Sequence, residues 1–65
     1  MKWDQIEGKW KELSGKDRAS WGEFTDNELV QIAGKREQLI GMLQQKYGLA
    51  REEAERQADK WAKKL

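Results

Sequence analysis

Apolar residues recur along this chain at helical intervals, and no strand pattern competes with them. Trp3, Ile6, Trp10 and Leu13 step by 3, 4 and 3 positions, which sets them on one stripe of an α-helix. Asp4 followed by Glu7 resembles an N-cap with an acidic third residue, and Gly15 suits the left-handed conformation that ends a helix, so a first helix is predicted over about 4–14. Lys16 to Gly22 holds only Ala19 and Trp21 as apolar positions. It is either a single helical turn or a loop pinned by its tryptophan, and the turn is favoured. Thr25 and Glu28 stand in capping-box spacing, with Phe24 and Leu29 at the two hydrophobic-staple positions, so a second long helix starts there. Leu29, Ile32, Ala33, Leu39, Ile40, Leu43 and Tyr47 continue its stripe to Gly48, a run of about 22 residues or ~33 Å. A last helix is expected from about Ala50 to Lys64. Its acids Glu52 and Glu53 lie near the start, Lys63 and Lys64 near the end, and Ala54, Ala58, Trp61 and Leu65 on one face.

With no proline and no Ser/Gly-rich linker, residues 1–65 read as a single all-α domain, a small helical bundle of three to four helices. The composition makes its core thin. Leu, Ile, Val and Phe together number 11 of 65, a range where disorder competes when net charge is large. Here the net charge is +1, and four Trp, one Tyr and one Phe add large apolar area per residue, so order is expected. The predicted contact cluster is Trp3, Ile6, Trp10, Leu13, Leu29, Ile32, Leu39, Ile40, Leu43 and Trp61. Arg36 falls inside the stripe between Ile32 and Ile40, where it should snorkel over the core edge or pair with an acid.

The chain also resembles itself. At an offset of 26, Gln5, Ile6, Gly8, Lys9, Leu13, Gly15 and Gly22 match Gln31, Ile32, Gly34, Lys35, Leu39, Gly41 and Gly48, and Trp21 meets Tyr47. Two copies fall short of a solenoid and read either as a pseudo-repeat within one domain or as two amphipathic helices whose similar packing settled on similar residues. On a helical wheel Gly34 and Gly41 lie close together but away from the apolar stripe, and Gly8 and Gly15 stand in the same relation to the first helix. Helical glycine costs about 0.5–1 kcal/mol relative to alanine, so Gly8, Gly15, Gly34 and Gly41 read either as an edge that accepts a close neighbour, within the domain or from a partner, or as tolerated surface glycines of which Gly15 merely ends the first helix.

The residue types remove most chemistry. With no His and no Cys, structural zinc, thiol redox chemistry and Ser-His catalysis are out. Paired acids such as Glu52 and Glu53, or Asp26 and Glu28, could share a proton, but helix starts in water are their ordinary place, and nothing marks a desolvated pocket. No enzyme, cofactor or metal site is expected. Lys9, Lys11, Lys16, Arg18 and Trp21, with Trp10 beside them, form the alternative: a basic, aromatic patch for single-stranded nucleic acid. Interleaved Glu7, Glu12 and Asp17 weaken it, as does the helical phase that assigns Trp10 to the core. Residues 50–65 set Trp61 beside Lys60, Lys63 and Lys64, but their apolar face is mostly alanine, too weak for membrane insertion. No signal peptide or membrane span is expected. Absence of Cys fits a reducing cytoplasm.

The opening Trp3-Asp4-Gln5-Ile6-Glu7-Gly8-Lys9-Trp10-Lys11-Glu12-Leu13, then Trp21-Gly22, Leu29, Ile32-Ala33-Gly34-Lys35-Arg36, Leu39, Gly41, Tyr47-Gly48, Ala54-Glu55 and Trp61, resemble the CsbD-like family of small bacterial stress-response proteins. The resemblance implies a helical bundle in the bacterial cytoplasm, abundant under general stress or in stationary phase. It implies no assigned biochemical activity and carries over no catalytic residue. Ser14 to Ser20 departs from the Lys-rich, helix-favouring segment that the family would place there. The expected function is therefore non-catalytic, through contact with a protein partner or as an abundant protectant, by a monomer or weak homo-oligomer.

Overall fold

A computed structural model describes residues 2–65. The helices are α1 (Trp3–Gly8), α2 (Trp10–Lys16), α3 (Asp26–Ile32), α4 (Arg36–Tyr47) and α5 (Arg51–Lys64), and a 3-10 turn at Arg18–Trp21 stands between α2 and α3. No strand occurs among the described residues, and the fold is all-α.

Both long predicted helices are divided. The first, expected over 4–14, is interrupted at Lys9, whose φ of −115° and ψ of 16° leave the helical well next to the permissive Gly8. Gly15 does not terminate it. Gly15 lies inside α2, and the helix ends at Asp17, where the chain passes into the 3-10 turn. The turn over 18–21 matches the helical option for that segment.

The second long helix, expected to run unbroken to Gly48, is cut at Ala33 (φ 54°) and Gly34 (φ 75°). Two consecutive left-handed residues turn the chain, so α4 folds back onto the core that α3 already covers. A straight rod could not bury Leu29 and Ile32 together with Leu39, Ile40 and Leu43 in so small a molecule. Their joint burial outweighs the ~1–2 kcal/mol that a left-handed Ala33 costs. The start of α3 is as read: Thr25 Oγ1 accepts from the Glu28 N–H at 3.1 Å, and Glu28 Oε1 accepts from the Thr25 N–H at 2.9 Å. Gly48, at φ 65°, closes α4, and α5 packs against α4 beyond a short connection.

One cluster of buried side chains joins all five helices. It contains every expected member except Trp3, which packs half-buried against it, and it adds Trp21, Phe24, Ala54, Ala58 and Ala62. Leu65, expected on the same face of α5, is exposed. Trp61 is the hub: its ring centroid lies 4.9 Å from that of Trp21, 5.6 Å from Trp10 and 6.3 Å from Trp3. The contacts with Trp21 and Trp10 are edge-to-face, the arrangement that the ring quadrupoles favour. Aromatic area thus makes up for scarce aliphatic side chains. The pseudo-repeat is visible in the structure: Ile6 and Ile32 are both buried, Leu13 and Leu39 likewise, and each copy breaks its helix at the matching Gly-Lys pair.

Candidate functional site

The basic patch does not assemble as a stacking surface. Trp21 and Trp10 are only 4% and 6% exposed, because both rings are committed to the cluster around Trp61. Arg18 is turned inward as a clamp. Its Nη1 donates to the Trp21 carbonyl at 2.7 Å and its Nη2 to the Phe24 carbonyl at 2.8 Å, with Asp26 3.6 Å away. Those bonds hold the segment that sequence periodicity could not place. Lys16 pairs with Glu12 at 3.6 Å across one helical turn, while Lys9 and Lys11 remain exposed among acids.

The four glycines of the expected edge differ. A Cβ placed on Gly34 would stand 2.7 Å from the Glu7 Cα and 3.1 Å from the Ile6 carbonyl oxygen, so the backbone of α1 lies directly against it. The first repeat thereby touches the second at its helix break. Above Gly8, Gly15 and Gly41 a Cβ would meet nothing within 4 Å, and these three are exposed. Because the chain turns at Ala33 and Gly34, Gly41 shares no continuous helix with Gly34. Gly15 borders a groove of about 560 Å³ between α2 and α3, whose rim includes Val30, 73% exposed.

The remaining charged groups knit the helices together. Arg36 holds Asp59 through two bonds, Nε to Oδ1 at 3.0 Å and Nη2 to Oδ2 at 3.1 Å, which ties α4 to α5 and matches the pairing expected for it. That bidentate contact holds the Asp59 carboxyl below its usual range and raises Arg36. Glu28 meets Lys46 at 2.6 Å, and this bond, followed by the Thr25 backbone, lowers its pKa. Arg51 does the same for Glu37 and is itself raised. Sequence spacing missed Glu28–Lys46 and Arg51–Glu37, since neither pair is three or four residues apart. Their only sequence signal is the supply of opposite charges near the ends of adjoining helices.

Every resolved shift favours the charged form and has an ion-pair partner as its largest cause. A general acid or base working near neutral pH needs the opposite, a group pushed toward its neutral form. Among the described residues no three Asp or Glu side chains gather as metal ligands. No helix among them is long and apolar enough to cross a membrane.

The sequence model of the CsbD-like proteins matches residues 4–56, which takes in every helix break and the Trp21 turn. The chain belongs to the CsbD-like family. A UPF0337 protein of Nitrosomonas europaea is 58% identical over 62 residues, covering 95% of this chain and 66% of that protein. The chain therefore spans about two thirds of that relative's length. The UPF0337 protein YjbJ of Escherichia coli is 41% identical over 64 residues, covering 98% of this chain and 93% of its own, and a UPF0337 protein of Pectobacterium atrosepticum is 44% identical over 61 residues. None of these CsbD-like relatives is named for a reaction. No solved structure matches the chain at a significant level.

Proposed function

We propose that this CsbD-like protein is a non-catalytic component of the bacterial stress response, acting in the cytoplasm by contact with other macromolecules or through its own abundance. The observation that carries this reading is the direction of the shifted groups: Glu28, Glu37 and Asp59 are lowered and Arg36 and Arg51 raised, each chiefly by a partner on another helix. Charges arranged in this way hold a fold, and none of these five groups is displaced toward the neutral form that proton transfer near pH 7 would need. Residues 1–65 act as one domain, a monomer or weak homo-oligomer, and the open backbone at Gly8, Gly15 and Gly41 is the surface a protein partner could approach closely.

Burial of Trp10 and Trp21 counts against the nucleic-acid alternative, which needed their rings for stacking. The deciding experiment captures the tagged chain from stationary-phase cells, with nuclease-treated and untreated lysates compared. Protein partners retained after nuclease treatment support the proposal. Partners that disappear with nuclease, together with direct salt-sensitive binding to single strands, would replace it with the nucleic-acid reading.

A further inference from the structure

Between α4, α5 and the 3-10 turn lies a cleft of about 350 Å³ that none of the preceding roles uses. Its apolar walls include Trp21, Leu43, Tyr47 and Trp61, and two lysines of α5, Lys60 and Lys64, also line it. The volume falls at the lower end of the range of small-ligand sites, roughly 300–1,000 Å³.

Two features give the cleft a chemical preference. Lys60 and Lys64 are four residues apart on one helix face, where like charges repel, and neither joins an ion pair among the described residues. Lys2, Lys9, Lys11, Lys35 and Lys63 likewise join no ion pair among the described residues, but of the unpaired lysines only Lys60 and Lys64 line this cleft. Trp21 supplies the second feature. Its Nε1 is buried with no acceptor, whereas Trp10 Nε1 donates to the Leu29 carbonyl at 2.6 Å and Trp61 Nε1 to Asp17 Oδ2 at 3.0 Å. Buried donors are nearly always satisfied, so this unpaired indole N–H sets Trp21 apart from the Trp10 and Trp61 rings it packs against.

We infer that this cleft binds a small amphipathic carboxylate, its apolar body against Trp21, Trp61 and Leu43 and its anionic end at Lys60 and Lys64. Such a ligand relieves the lysine repulsion and covers apolar wall. A neutral molecule of the same length would do only the second of these.

The test uses the full chain labelled with ¹⁵N, titrated with octanoate and, separately, with octan-1-ol, while the four indole N–H signals are followed. The Trp21 signal is assigned by its absence in Trp21→Phe or, if that variant fails to fold, by through-space contacts to Phe24. Octanoate should shift the Trp21 signal saturably and more than those of Trp3, Trp10 and Trp61. Lys60→Gln with Lys64→Gln should weaken octanoate about tenfold or more, the effect of losing a charge-assisted contact, and leave octan-1-ol unchanged. Both lysines are exposed and repel each other, so the double variant should melt at or slightly above the wild-type temperature. A shift that never saturates, equal shifts at all four indoles, or octanoate binding indifferent to the two substitutions would overturn the inference.

Discussion

Gly34→Ala should be the most damaging single-methyl substitution at any glycine of this chain, and its magnitude can be worked from two separate costs. At φ 75° an alanine pays the left-handed penalty, ~1–2 kcal/mol. The new Cβ would also stand 2.7 Å from the Glu7 Cα, a backbone atom held in α1 that cannot rotate away, and overpacking of this kind costs ~1–3 kcal/mol. Together these come to about 2–5 kcal/mol, against ~3–10 kcal/mol for a whole domain of this size. Gly48→Ala is the matched control: its φ is 65°, but a Cβ there meets nothing within 4 Å, so only the first cost applies. Urea and thermal unfolding, followed by circular dichroism and tryptophan fluorescence, measure both variants. Gly34→Ala should lower the melting temperature by at least about 10 °C and Gly48→Ala by clearly less. Equal losses would show that the approach of α1 carries no energy, and an unchanged Gly34→Ala would refute the reasoning altogether.

Ala33→Gly should stabilise the protein by up to ~1 kcal/mol, because relief of the left-handed alanine exceeds the entropy that glycine adds to the unfolded chain; a lower melting temperature would contradict this. Gly41→Ala, within α4 and facing open space, should also stabilise by up to ~1 kcal/mol, and weakened capture of a partner by the same variant would place that partner on this face. Acid should unfold the domain through Glu28, Glu37 and Asp59, whose folded-state pKa values lie below the unfolded ones. Their stabilisation is therefore complete only above the unfolded values, from about pH 5 upward, and is lost as pH falls through the folded values, which a pH series of urea midpoints would record. Asp59→Asn should flatten that series, and an unaltered acid slope would show that the Arg36 pair contributes nothing.

The helical phase made most of the core legible: Ile6, Trp10, Leu13, Leu29, Ile32, Leu39, Ile40, Leu43 and Trp61 all meet in one cluster. The capping box at Thr25 and the stop at Gly48 were equally readable, since each depends on neighbours within a turn. The breaks were not. Whether Gly34 continues a helix or turns it depends on the backbone of α1, about 27 residues earlier, and no local window contains that neighbour. The pseudo-repeat held the signal, because the matching Gly-Lys pairs fall at both interruptions. Trp21 is absent from the expected cluster for the same reason. Few apolar residues flank it, and its burial comes from Trp61, forty positions away, with Arg18 fixing the intervening turn. The cleft beside it joins three elements, so spacing along any one of them could show only the adjacent lysines.

A protein that works by contact acts in proportion to its copy number, whereas an enzyme turning over about 1–10³ times each second protects a cell at trace levels. The most direct test is therefore survival of a deletion strain through stationary phase, with the chain restored from a titratable promoter and its copies per cell counted. Survival should rise with abundance over the whole range and fall to that of the deletion strain at trace expression. Full protection from trace expression would contradict the non-catalytic account.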